Sequence, residues 1–166
     1  MQKVLYSLLI VVLISSAVSA SMAKKWEYFI EEGTNEPMAQ LINRAGDRLI
    51  VLIRKKPTNI IFAMAFVPHF KRGERLSPLR PLVKLDGNII EMQHESRREL
   101  GNNGTTYVWS MFVNAPLAGR IRQAKVFDIQ YLVFLNAERF STFYLKGIGK
   151  VVAELMRYQI EETQKR

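Results

Sequence analysis

The sequence predicts a mainly β domain, an antiparallel β-sandwich or flattened barrel of about eight or nine strands closed off by a C-terminal amphipathic helix. Three observations predict it. Short runs rich in β-branched and aromatic residues recur along the chain, with turn residues between them, as in "DRLIVLIRK" and "NIIFAMAFVP". No helical pattern of adequate length separates these runs, which disfavours an alternating α/β fold. The period changes only near the end, where Ile148, Val151, Val152, Leu155 and Tyr158 fall on one helical stripe.

Ahead of the first strand stands a different kind of segment. Lys3 supplies a basic start, "VLYSLLIVVLISSAV" an apolar stretch, and "VSA" ending at Ala20 the small residues that a signal peptidase reads. Met1 to Ala20 therefore reads as a cleaved secretory signal, with a second cleavage option after Ala23. Ser21 to Arg166 then forms a single β-rich domain, long enough to bury its own core. No further apolar run is long enough to span a bilayer, so the cleaved chain is expected to be periplasmic or secreted.

Within that domain each element has its own reason. "KKWEYFIEE" alternates, placing Trp26, Tyr28 and Ile30 on one face of a half-buried strand, and "EGTNEP" supplies turn chemistry before "MAQLINR". "DRLIVLIRK" and "NIIFAMAFVP" read as adjacent central strands; Phe62, Met64 and Phe66 share one face, while Ala63 and Ala65 on the other leave room for a further layer. "LVKL" and "NIIEMQ" flank Asp86 and Gly87, a strong hairpin signal. "ESRRELGNNGTT" reads as a polar connection. "YVWSMFV" is again a strand, broken at Pro116 and Gly119 in "NAPLAGRIRQA". "KVFDIQYLVFL" carries Phe127, Ile129, Tyr131 and Val133 at period two, with Asp128 and Gln130 facing away. "RFSTFYL" follows through a short turn, and the helix is expected over about 147–162.

Composition narrows the chemistry. There is no cysteine, so thiol catalysis, disulfides and cysteine metal sites are excluded. The whole chain carries a net charge of +9, and loss of Lys3 with the signal removes one cation. A basic exported domain points to an anionic envelope component or an acidic protein; nucleic acid is an unlikely partner outside the cytoplasm. The nucleophile elbow G-x-S-x-G, the zinc pair H-E-x-x-H, the P-loop and G-x-G-x-x-G are all absent, and no cofactor is implied.

Glu91 and His94 stand three apart, but at a strand end that spacing points them to opposite faces, which argues against a metal pair. Glu31 with Glu32 and Glu161 with Glu162 read as solvated neighbours. "NGT" at Asn103 is a glycosylation sequon only in a eukaryotic secretory pathway. An envelope hydrolase with a dispersed Ser/His or carboxylate site is the alternative reading.

Cations gather at Arg54–Lys55–Lys56, in "HFKRGERLSPLRP", at Arg97–Arg98, and at Arg120, Arg122 and Lys125. The second group is the best candidate for contact with an anion. Two prolines and a glycine deny it a regular ladder, and Lys71, Arg72, Arg75 and Arg80 offer donors suited to phosphate or carboxylate, with His69 at its mouth. A non-catalytic binding protein working through such basic loops is the leading reading.

From about Ala63 onward, the charged Pro-containing segment, "LDG" at Leu85 to Gly87, "APLAGRIRQAKVFDIQYLVF" and "FYLKGIGKVVAEL" together resemble the exported bacterial proteins named for invasion-associated locus B. The resemblance implies a small β-rich domain of the envelope or host interface, with no established catalytic constellation. It carries over no functional residue, and this chain lacks the mid-domain cysteines common in that family.

Overall fold

A computed structural model describes residues 25–30, 36–55, 60–70, 74, 81–101, 104–133 and 137–164. Residues 1–20, expected to be a signal, Asn103 and the four candidate cations Lys71, Arg72, Arg75 and Arg80 lie outside these residues. Ten strands and two helices follow in order: β1 (Glu27–Ile30), β2 (Pro37–Ile42), β3 (Arg48–Lys55), β4 (Ile60–Val67), β5 (Leu82–Leu85), β6 (Asn88–Ile90), β7 (Gln93–Gly101), β8 (Gly104–Val113), α1 (Ala115–Gln123), β9 (Val126–Val133), β10 (Ala137–Tyr144) and α2 (Ile148–Gln164). The fold is mainly β, as the periodicity predicts.

The strands form two antiparallel sheets, neither closed into a barrel. Sheet A has the order β1-β2-β3-β4-β8-β7 and sheet B the order β10-β9-β5-β6. Alternation places one face of each strand inward. Leu49, Val51 and Ile53 of β3, Phe62, Met64 and Phe66 of β4, and Trp109 and Met111 of β8 meet Phe127, Ile129, Tyr131 and Val133 of β9 and Phe143 of β10 in one core. Phe66 joins the sheets most directly, its ring edge-on to Tyr131 at 5.0 Å and to Phe143 at 6.1 Å. The α2 stripe of Ile148, Val151, Val152 and Leu155 completes the core, and the helix lies against β2 and β3.

Two local expectations are corrected. "ESRRELGNNGTT" is not a plain connection, because β7 pairs with β8 from Gln93↔Phe112 to Gly101↔Gly104. Being at the edge of sheet A, β7 can carry charges that a central strand could not. "NAPLAGRIRQA" is helix α1 rather than a break. Asn114 caps it, its Oδ1 accepting from the Leu117 N–H at 2.9 Å, and Pro116 sits in the first turn, where its missing N–H costs nothing. "MAQLINR" contains most of β2, whose first residue, Pro37, pairs with Ile30. With β7 included, the strands among the described residues number ten, close to the expected eight or nine.

The Asp86–Gly87 hairpin forms as expected, with both residues at positive φ (49° and 80°), the conformation that a two-residue hairpin turn requires. β1 departs from expectation in burial. Tyr28 and Ile30 face inward by register yet remain 50% and 53% exposed, because they line a 260 Å³ groove between the sheet edge and α2. No helix among the described residues is long and apolar enough to cross a membrane.

Candidate functional site

The exit of β4, just ahead of the basic segment, is held by a hydrogen-bonded cluster. Asn43 sets a tight turn after β2, its Oδ1 accepting from the backbone N–H groups of Ala45 and Asp47 at 2.9 and 3.0 Å. That turn buries Asp47, which is 3% exposed. Asp47 Oδ1 accepts from the His69 backbone N–H at 2.7 Å, and Oδ2 accepts from Asn43 Nδ2 at 3.1 Å and from the Ser141 hydroxyl. One carboxylate thus ties the β2–β3 turn, the exit of β4 and strand β10 together. Beyond His69, Glu74 accepts from Arg139 of β10 in an ion pair.

Tyr131 lies beside this cluster. Burial pushes its phenol above the usual tyrosine value and the Asp47 charge adds to the effect; a hydrogen bond with Ser141 and the Arg139 charge pull the other way. A buried carboxylate with three donors on it is satisfied rather than reactive.

Ser141, His69 and Asp47 are the three residue types of a hydrolytic triad, but they are connected in a different way. The serine hydroxyl is held by the carboxylate itself, and His69 reaches Asp47 through its backbone N–H. The imidazole packs on Gly46, where an added Cβ would lie 3.1 Å from His69 Cγ and where φ is +89°. A nucleophile needs a base within reach of its proton, and here that proton points at a carboxylate already holding other donors. The geometry is a brace.

The Glu91–His94 pairing lies partly outside the described residues. Glu91 is exposed between β6 and β7, His94 lies on β7 with its side chain outside the described set, and among the described residues no three His, Asp or Glu groups gather as metal ligands.

A convergence of cations appears where α1, β9 and α2 meet. Leu145 N–H donates to the Lys125 carbonyl at 2.8 Å, setting the end of β10 beside the start of β9. A Cβ on Gly149 would lie 3.4 Å from the Arg122 carbonyl, so the C-terminus of α1 rests against the first turn of α2. These two contacts bring Arg120, Arg122 and Lys125 together with Lys146 and Lys150, all exposed. Arg120 and Arg122 also sit in the last turn of α1, where positive charge suits the helix dipole.

One carboxylate belongs to this surface. Asp86 Oδ1 accepts from the backbone N–H groups of Lys125 and Val126 at 2.9 and 2.8 Å and so locks the β5–β6 hairpin to β9. None of the five cations forms an ion pair among the described residues. Arg54 and Lys55, paired with Ile61 and Ile60, share their end of sheet A with Val113, the residue from which the chain leads into α1. Of the basic groups read from sequence, the one at Arg120, Arg122 and Lys125 is thus extended by the structure. Lys146 and Lys150 escaped notice because they belong to a different segment, separated from the others by the whole β9–β10 hairpin.

No protein-family model, curated protein or solved structure matches the chain.

Proposed function

We propose that this is an exported, non-catalytic binding protein that holds an anionic partner, an envelope component or an acidic protein, on basic surface loops. The observation that carries the reading is the gathering of Arg120, Arg122, Lys125, Lys146 and Lys150 at the α1–α2 junction, facing solvent with Asp86 as their carboxylate neighbour. Exposed cations from two chain segments, held side by side by the fold, raise the local potential more than scattered ones would. Arginine can add bidentate contact with phosphate or carboxylate. The segment with Lys71, Arg72, Arg75 and Arg80 is the second candidate on sequence grounds, and Glu74, the acid within it, is engaged by Arg139. The signal-like N-terminus and the resemblance to envelope proteins support an exported location.

The test is retention on heparin and on anionic liposomes across a salt series. Wild type is expected to elute at higher salt than a variant with the five junction cations changed to serine, with the Lys71/Arg72/Arg75/Arg80 serine variant measured beside it. Equal retention of all three proteins would defeat the reading.

A further inference from the structure

The outer face of sheet B carries a second surface of a different chemistry. Strand register sets its rows. Phe140 lies opposite Gln130, which lies opposite Leu82; Thr142 lies opposite Asp128, then Lys84, then Ile89. Phe140 and Tyr144 are 67% and 72% exposed, among the most exposed large apolar side chains of the described fold. From Phe140 across β9 to β5 runs a groove of 210 Å³ lined by Leu82, Lys84, Asp128, Gln130, Phe140 and Thr142, with Tyr144 beyond its end.

The polar side chains of this face are already oriented. Thr142 Oγ1 donates to Asp128 Oδ1 at 2.6 Å, and Gln130 Nε2 donates to Glu138 Oε1 at 2.9 Å. Asp128 Oδ2, Gln130 Oε1 and the Lys84 ammonium keep capacity for a ligand, at little ordering cost. Phe140 and Tyr144 stand four residues apart on one strand face, about 13 Å, with the polar row between their levels.

Aromatic rings on one sheet face, interleaved with oriented donors and acceptors, match a ligand whose two faces are apolar and whose edge is ringed with hydroxyls. We propose that the outer face of sheet B binds an uncharged, β-1,4-linked oligosaccharide, with Phe140 and Tyr144 stacking on pyranose faces and Asp128, Gln130 and Lys84 bonding the hydroxyls. A β-1,4-linked glycan is an extended ribbon, long enough as a tetramer to reach both rings.

Charge separates this occupant from the others. In a chain of net charge +9, the described outer face of sheet B carries one cation, Lys84, against two carboxylates, Asp128 and Glu138. A polyanion such as single-stranded nucleic acid, which also uses aromatic platforms, would meet these two carboxylates on the face itself. A lipid surface would have to dehydrate Asp128, Gln130 and Lys84 at the centre of the contact. The proposal stands independently of the basic junction, because no residue is shared.

The test is titration of the chain from Ser21 with cellotetraose and with tetra-N-acetylchitotetraose, followed by calorimetry and amide chemical shifts. The described core begins at Trp26, so this chain retains all of it. Saturable binding of at least one glycan is expected, unchanged between low and high salt. The shifts should centre on β9 and β10, and Phe140→Ala and Tyr144→Ala should each weaken binding about fivefold, the size of a lost aromatic contact. Both residues are exposed, so thermal unfolding should certify that the variants remain folded.

No saturable binding of either glycan overturns the proposal. So does equal binding by wild type and both variants, or shifts that map away from sheet B. Oligo-dT binding that salt weakens and Phe140→Ala abolishes would also overturn it, in favour of a nucleic-acid platform.

Discussion

On the outside of sheet A, the central strand β4 presents Ala63, Ala65 and Val67, all buried, whereas the outside of sheet B presents Asp128 and Gln130 of β9 beside the exposed Phe140 and Tyr144 of β10. Both faces belong to antiparallel strands with the same pleat. The difference lies in side-chain size and polarity. On sheet A the small residues sink below their register neighbours, Ala65 beside Ile50 and Ala63 between Leu52 and Phe112, so that Ala65, Val67 and Ile50 form a small apolar cluster of their own. On sheet B the alternation of β9 buries Phe127, Ile129, Tyr131 and Val133 and leaves Asp128 and Gln130, with Val126 and Leu132, half-exposed on the outer face. One outer face therefore buries small apolar side chains, and the other keeps aromatic and polar groups in solvent.

The largest effect should come from breaking the join that both sheets share. Phe66→Ala removes a fully buried ring that touches Tyr131 and Phe143, and a loss of about 3–5 kcal/mol is expected in denaturant unfolding. A loss below about 1 kcal/mol would mean that the sheets pack independently of this residue.

The comparison between the outer faces is sharpened by one substitution on each. Ala65→Asp places a charge in the apolar cluster of sheet A and should destabilise by about 2 kcal/mol, whereas Phe140→Ala on sheet B should stay within about 0.5 kcal/mol of wild type. Similar values for the two would erase the proposed division between a structural and a recognition face.

A smaller effect is expected at the sheet A edge. The Tyr28 phenol is pushed up from 10.0 to about 12, first by burial and then by its hydrogen bond to Glu154 and the charge of that carboxylate. Above pH 10 the unfolded chain releases this proton while the folded chain keeps it. The contribution to stability is thus complete below about pH 10 and fades as pH rises toward 12. Ultraviolet titration of the phenolate should find one tyrosine near that value, and Glu154→Gln should move it down. A Tyr28 that titrates normally would mean that the groove between β1 and α2 stands open.

Much of the frame is legible in local pattern, because burial on one side of a strand or helix writes its period into the chain. Phe127, Ile129, Tyr131 and Val133 read as one buried face and are one. The Asp86–Gly87 turn and the α2 stripe follow from conformational and amphipathic rules that need no partner. β7 was hidden because an edge strand need not be apolar, and α1 because Pro116 reads equally as a breaker or as a first-turn residue. Asn114 two residues earlier is the signal that separates those readings.

By itself, then, the sequence determined the mainly β class, the inward residues of the central strands, the terminal helix and the excess of positive charge. Each depends on neighbours a few positions away, or on composition alone. Tertiary structure decided what those elements bring together: Asp47 with Ser141 and the His69 backbone, Arg122 and Lys125 with Lys146 and Lys150, and Phe140 with Leu82 across β9. Contacts of this kind join residues from separate strands, and strand order is set by how two sheets and a helix share one core, which no local period records.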